Sequence, residues 1–583
     1  MSFQKTPESE SNAKANHFQE KLDEIKGKVD LGRYVLDEKD GTYYLSKTQS
    51  KEDGVSSSRT EKVQVSPIPV VPVCLYQNID SSIEKVEIAY FKRGKWRTLI
   101  TERSVASSQS AVLKLADKGI EVSTNTAKTF VKYISDVIGK SINTIDYKRS
   151  KSVMGWEGDE FMPFTDNIVF DADDTYKYLF DAFTTKGDLD EWIAMTNELR
   201  EVQAMRLAMG ASFASPLISL VGENPFVFHL WGGTGTGKTV SQMVAMSIWG
   251  NPEQGKLTRT MNMTANSMLG TAAFLRHLPF AGDELQTIKA RWNNNYDDLI
   301  MCVTEGIERG RMSFDKMNEV RSWKCSFLFT GEENCVKQSS GGGAKNRVIA
   351  YECNDKIVDN GNKVAEFVRK NYGIAGRKFL QRVKETDVNE MYRTRFNAIL
   401  DEADTTDKQA GAMALIMTAD EIARELFYPS ESPLEVRDIK DYLCSAKEVD
   451  VTERAFEYIC TMAARYPDRF DKGNGEINPV KGEYWGRRRG NTLFINKNVL
   501  DTLLMQSGFD FDACKKKWAE NGHLNMYYGR YVARQSFRTV NAYYVGLNIP
   551  ETEPAEPTEN KPKFVEVPND DLPFTMDGEQ TKL

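Results

Sequence analysis

The segment "FVFHLWGGTGTGKTV", residues 226–240, restricts what this chain can fold into more than any other stretch. Its apolar half has the length of a buried strand, a glycine-rich run follows, and a helical pattern resumes after that. Strand, glycine loop and helix in this order spell G-x-x-x-x-G-K-[ST] from Gly232 to Thr239. Glycines at these places let backbone N–H groups turn inward around phosphates. Gly232, Gly233, Thr234, Gly235, Thr236 and Gly237 would form the cradle, Lys238 would reach the β/γ-phosphates, and the Thr239 hydroxyl would bind Mg²⁺. The helix beyond would aim its positive end at the anion. The loop predicts binding of ATP or GTP and says nothing of the work done with it.

The residues after the loop alternate. Helix is predicted at 241–249, strand at "TRTMNMT", helix at 265–277, strand at "LPFAGDE", helix at 297–306, then strands at "SWKCSFLFTGE" and "RVIAYEC". That rhythm predicts a parallel α/β nucleotide-binding core. "LPFAGDELQ" ends an apolar strand on two acids. Asp283 would hold the Mg²⁺ shell and Glu284 would polarise the attacking water. The next strand ends in "TGEEN", so Thr330 and Asn334 are both candidate sensors of the γ-phosphate. "SSGGGAKNR" then delivers Arg347 to a further strand, the order in which ring ATPases place an arginine lent to a neighbour's ATP. Arg309 and Arg311 compete for that role, and Arg377 and Arg382 are candidate lid arginines.

Two segments suggest nucleic acid. "RMSFD" and "EVRSW" flank a turn near Lys316–Asn318 and predict a β-hairpin with Lys316 near its tip and Arg311 at its start, either an ordinary surface hairpin or one that carries cations to a DNA strand in a pore. Residues 467–549 combine a helix ending in "ENGHLN", two alternating strands, and Arg487, Arg488, Arg489, Arg534 and Arg538. That pattern is similar to a winged helix, which would set a helix in the major groove of an origin duplex and arginines on phosphates, or would serve as a protein-interaction wing.

Composition sets the limits. The chain has 583 residues, a net charge of −8, 8 Cys with no C-x-x-C pair, and 4 His. An acidic chain of this kind needs a local nucleic-acid site, since affinity follows nearby Lys and Arg. Scattered cysteines argue against zinc ribbons and disulfide frameworks and suit a reducing cytoplasm. Four histidines leave histidine catalysis unexpected. A polar start and the absence of a membrane-length apolar run predict no membrane partner. The domains expected are a flexible segment (1–65), an α/β accessory domain (66–188), the ATPase core (189–358), a helical lid and connector (359–466), the winged-helix-like domain (467–549) and an acidic disordered tail (550–583). "NDDLPF" in that tail resembles the acidic tip with which single-stranded-DNA-binding proteins dock replication partners.

Taken together, "GKWRTLI", "LADKGIEV", "MGWEGDEFMPF", "LWGGTGTGKTV", "MNMTANSMLGTAAFLRHLPFAGDELQ", "TEGIERGRMS", "WKCSFLFTGEE" and "NYGIAGRKFL" resemble the domain-of-unknown-function family numbered 927 of phages, plasmids and mobile islands. The likeness covers roughly residues 70–385. It departs at "GGGAKNR", where the family more often has Gln ahead of the arginine. Some members are replication initiator-helicases of staphylococcal pathogenicity islands and cassette elements, similar to minichromosome-maintenance helicases. The resemblance implies an AAA+ P-loop core with a parallel sheet and helical lid, an ATP- and Mg²⁺-dependent helicase, and a homo-hexamer passing single-stranded DNA through its pore. An origin-binding initiator and an AAA+ remodeller or switch are the alternatives.

Overall fold

In the structure, a computed structural model, the described residues are 7–549 without 53–54, 173, 293–295, 309–311, 314–315, 318–319, 338–339, 473–481 and 538–539. Arg309, Arg311, Arg538 and the tail that carries "NDDLPF" lie outside them. The chain divides into two units, 1–449 and 450–583.

The first unit has two cores. In the smaller one, helix Pro7–Lys26 turns Phe18, Leu22 and Ile25 inward, an i, i+4, i+7 stripe, against Val86, Phe91 and the helix Ala127–Ser141. The expected flexible segment 1–65 is therefore structured from residue 7, because three apolar residues at helical spacing bury a face that the polar composition hides. Within the same expected flexible segment, Tyr34–Asp37, Gly41–Glu52 and Val55–Ser66 form a three-stranded antiparallel sheet held by ladder hydrogen bonds. A second, five-stranded sheet runs in the order Ile168–Phe170, Asp146–Lys151, Val70–Asn78, Glu84–Lys92, Lys95–Glu102.

The larger core surrounds five parallel strands: β1 (Val227–Trp231), β2 (Thr258–Thr260), β3 (Phe280–Asp283), β4 (Phe327–Gly331) and β5 (Val348–Glu352). Their order is β2-β3-β4-β1-β5. β3 and β4 are buried throughout, as a parallel strand covered on both faces must be. This order sets the ends of β1, β3 and β4 side by side, with β4 between the glycine-loop strand and the acidic strand.

Residues Gln203–Val221 have the length and hydropathy to cross a membrane, contrary to the sequence expectation, but 78% of that stretch is buried inside the protein. It is a core helix, Gln203–Ala214, broken at Pro216 and packed by Gly210 against Ile416 of helix Asp407–Phe427. An ion cluster locks the same helices: Arg200 and Arg206 share Asp420 at 2.8 and 2.6 Å, Arg200 also meets Glu431 at 2.7 Å, and Tyr428 stacks on Arg200.

The second unit begins with helix Val451–Arg465, whose Ala455, Phe456 and Ile459 share a core with Trp518, Leu500 and Val545. The boundary therefore falls at 449/450, ahead of the expected 467, because this helix buries its apolar face in the C-terminal core. Helices Lys497–Gln506 and Phe511–Glu520 form a helix-turn-helix, and antiparallel strands Ala533–Phe537 and Val540–Asn548 follow.

Candidate nucleotide site

The loop between β1 and helix Lys238–Ser247 has backbone geometry that requires its glycines. Gly232, Gly235 and Gly237 have φ of +139°, +84° and +94°. A Cβ on Gly232 would lie 2.8 Å from the Cys353 carbonyl oxygen, so β5's end also needs the space. The Lys238 ammonium donates to the carbonyls of Gly232 (2.9 Å) and Gly233 (2.6 Å), which curls the loop around it.

Across the strand ends, Asp283 accepts hydrogen bonds from the hydroxyls of Thr239 (3.0 Å) and Thr330. Its carboxylate is nearly buried, with no ion pair among the described residues. Thr330 also accepts the Glu284 backbone N–H at 3.3 Å. Glu284 is exposed and has φ of +58°, a left-handed backbone that a non-glycine residue holds only at a cost of about 1–3 kcal/mol. Strain of this kind concentrates at working sites. Thr234, Gly235, Gly237, Lys238, Thr239, Asp283, Glu284 and Thr330 line one cleft of ≈ 350 Å³.

Of the two sensor candidates, Thr330 stands in this cleft, whereas Asn334 accepts from Val336 N–H in its own turn and does not line it. The structure also brings in Gln286, Glu332, Lys356 and Asp359, which sequence reasoning did not single out. Glu332 accepts from Thr234 at 3.0 Å. Only its place beside Thr330 in "TGEEN" hinted at that.

Arg347 lies off the cleft. Its guanidinium donates to the Gly343 carbonyl at 2.8 Å and touches the Met301 sulfur at 3.1 Å. The glycines before it serve close packing, since a Cβ on Gly342 would meet the Val449 carbonyl oxygen at 2.1 Å. Buried Gln409 grips the carbonyls of Lys345 (2.8 Å) and Val348 (2.9 Å), so helix Asp407–Phe427 sets the position of the Arg347 turn. Neither Arg377 nor Arg382 lines the cleft, and Arg382 pairs with Glu425 at 3.4 Å.

Met312–Ser313 pair antiparallel with Lys316–Met317, so Lys316 and Met317 are strand residues where the sequence reading placed the turn, and the hairpin's register is shifted from the one expected. In the second unit the arginines separate. Arg487 is drawn onto Asp471 at 2.6 Å and stacks on Phe537, so it is not a free phosphate contact. Arg488 and Arg489 are exposed, and Arg534 is exposed opposite Tyr543 on the strand pair. Tyr528 projects fully into solvent.

Residues 34–324 match the family described as Domain of unknown function (DUF927), and residues 450–551 match the Cch helix turn helix domain. A solved structure described as "SCCmec type IV Cch - active helicase" shares the fold, with a TM-score of 0.66 and 17% identity over 89% of this chain and 98% of that one. The apo A form of the NrS-1 C-terminal region is also similar, with 12% identity over 63% of this chain and 90% of that one, but its TM-score of 0.24 carries no argument. No curated protein sequence matches. The chain carries a DUF927 domain over residues 34–324 and joins it to a Cch helix-turn-helix domain over residues 450–551.

Proposed function

We propose that the chain is an ATP-driven DNA helicase of a phage or mobile genetic element, built on an AAA+ core and working as a ring, six subunits by family likeness. The observation that carries this is the convergence of the two halves of a hydrolytic site on Asp283, reached by hydroxyls from the glycine loop and from β4. The strand order supports it: β4 stands between loop strand and acidic strand, as in additional-strand ATPases. The relative described as an active helicase and the helix-turn-helix domain point the ATPase towards DNA.

The phosphates of ATP would lie in the loop of residues 232–237, with Lys238 released from the loop carbonyls to meet them. Asp283 and Thr239 would hold Mg²⁺. A nearly buried carboxylate with hydroxyl partners and no described cation suits a hard divalent ion, which when bound draws charge off the phosphate oxygens. Glu284 would take a proton from water as its oxygen attacks the γ-phosphorus and the bond to the ADP oxygen breaks. Thr330 would report the γ-phosphate through Asp283 and the Glu284 N–H. Arg347, off its own subunit's cleft, would serve the ATP of the neighbour. The 312–317 hairpin, with Lys316, would track one DNA strand. Helices between 361 and 427 would act as the lid.

The test is strand displacement on a forked duplex with ATP, comparing wild type with Glu284→Gln. Unwinding by wild type that vanishes in the variant is expected. Hydrolysis without strand separation, even on preformed single-stranded tails, would overturn the helicase reading. It would favour an initiator that uses the helix-turn-helix to hold an origin.

A further inference from the structure

The end of β4 holds a donor and an acceptor that face each other without meeting. Gly331 is the last residue of β4. Its backbone has no positive φ, so the demand for glycine there is one of space. A Cβ built on Gly331 would come 3.1 Å from His229 Nε2 and 3.5 Å from Gln286 Oε1. Both atoms are buried, and neither has a hydrogen-bond partner among the described residues.

The chemistry of each atom is settled by its surroundings. His229 lies on β1 and is fully buried. Its Nδ1 accepts the Cys335 backbone N–H at 3.4 Å, which leaves the ring proton on Nε2. Burial, helped by the nearby Lys238 charge, pushes its pKa down to about 3, so the ring stays neutral and Nε2 remains a donor. Gln286 follows Glu284 by two residues and lines the cleft with Glu284, Thr330 and Glu332. A buried donor and a buried acceptor left apart each forfeit a hydrogen bond, and only a glycine lets them approach across β4.

We propose that Gln286 is a catalytic residue of this cleft and His229 its positioning residue. His229 Nε2–H would hold Gln286 Oε1 across Gly331, and the Gln286 amide N–H would then donate to a γ-phosphate oxygen. The proposal rests on the ATPase reading of the cleft and extends it. It accounts for a histidine in the core of β1, for the glycine at the end of β4, and for two unmet polar atoms at one place. Because the contact is to the γ-phosphate, it separates ATP from ADP.

The experiment uses the full chain, with ATP hydrolysis and the affinities for ADP and a slowly hydrolysed ATP analogue as readouts. Gln286→Leu should lower kcat by about ten- to a hundredfold, the range for a hydrogen bond to a charged group, and weaken the analogue while leaving ADP binding unchanged. Gly331→Ala should show the same pattern, because its methyl group separates the pair. The double variant should be no worse than either single one, since both remove the same contact. His229→Phe removes a core polar group, so its melting curve is read alongside its rate; Gln286→Leu, on the cleft wall, carries no such risk. Wild-type hydrolysis with a Gln286→Leu variant of equal rate and equal ATP-over-ADP preference would overturn the pair and leave the ATPase standing. So would losses that multiply in the double variant. A wild type that hydrolyses nothing would overturn the ATPase reading and the pair with it.

Discussion

In the first unit, candidate groups scattered over about a hundred residues of sequence, from Gly232 to Thr330, converge on one nearly buried carboxylate. In the second unit, arginines that are neighbours in sequence go separate ways: Arg487 turns in to Asp471 and Phe537, Arg489 on the same strand face lies over Phe494 and Phe537, and Arg488 between them stays in solvent. Chemistry at a point needs particular atoms at fixed spacings, so it leaves a motif. A surface that grips a polyanion needs only charge over an area, and sequence neighbours alternate between the two faces of a strand. Under the proposed function, the first unit would work through buried, mutually dependent groups, and the second through exposed, separable ones. That contrast makes quantitative claims.

The largest effect should come from the ion cluster of the first unit. Asp420→Ala leaves Arg200, whose side chain is fully buried, with Glu431 alone and strips Arg206 of its best partner. Breaking a buried ion pair from one side costs about 3–5 kcal/mol, and the surviving Glu431 bond places this change at the lower end. Calorimetry should show a lowered transition for the first unit and an unmoved one for the second. A second-unit transition that falls with it would mean the two units do not melt independently.

The same contrast predicts different acid responses. His229 and His277 are both held down to about pKa 3, first by burial and then by neighbouring cations, Lys238 for one and Arg276 for the other. An unfolded histidine titrates near 6.5, so between pH 6.5 and 3 the unfolded state binds more protons than the folded one. The stability of the first unit therefore falls as pH drops below about 6.5, by up to about 1.4 kcal/mol per pH unit for each histidine. In the second unit His523 is partly exposed beside Glu453, without that burial. Melting curves at pH 7, 6 and 5 should lower the first unit's transition well above the carboxylate range. An unchanged transition down to pH 5 would show that these rings are not buried as neutral groups.

What the sequence made legible follows the same division. The phosphate loop, the acids at the end of β3 and the alternation behind them were readable because each strand ends where the chemistry begins. The order of the strands was not readable, since pairing is a matter of which edges meet, and Gln286 was invisible for that reason: the unpaired Nε2 of His229, 57 residues earlier, comes near it only around Gly331. Thr330 and Asn334 were equivalent on paper. They were separated by one fact of strand geometry, that position 330 is still on β4 while 334 is in the turn beyond it. The N-terminal helix was missed because its three buried residues lie in a polar, charged stretch whose average hides them. Composition reads means, and a core needs only one face.

The smallest effects belong to the second unit, and there the expected sign separates two arginines that look alike in sequence. Arg534 is exposed and has no carboxylate partner among the described residues, so in Arg534→Ala one phosphate contact should be lost. Affinity for duplex DNA would fall by a few-fold regardless of sequence, and the slope of log affinity against log salt would drop by about one. Arg487 is different. Its bonds to Asp471 and its stacking on Phe537 tie the strand Gly486–Arg489 to its neighbours. Arg487→Ala should lower the melting transition of the second unit and leave the salt slope where it was, because a guanidinium already paired with a carboxylate displaces no counterions from DNA. Fluorescence anisotropy at several salt concentrations with both variants checks the pair. Equal losses of salt slope would mean that Arg487 leaves Asp471 for the phosphate backbone on binding, and the division between a buried, convergent unit and an exposed, separable one would then not extend to its individual arginines.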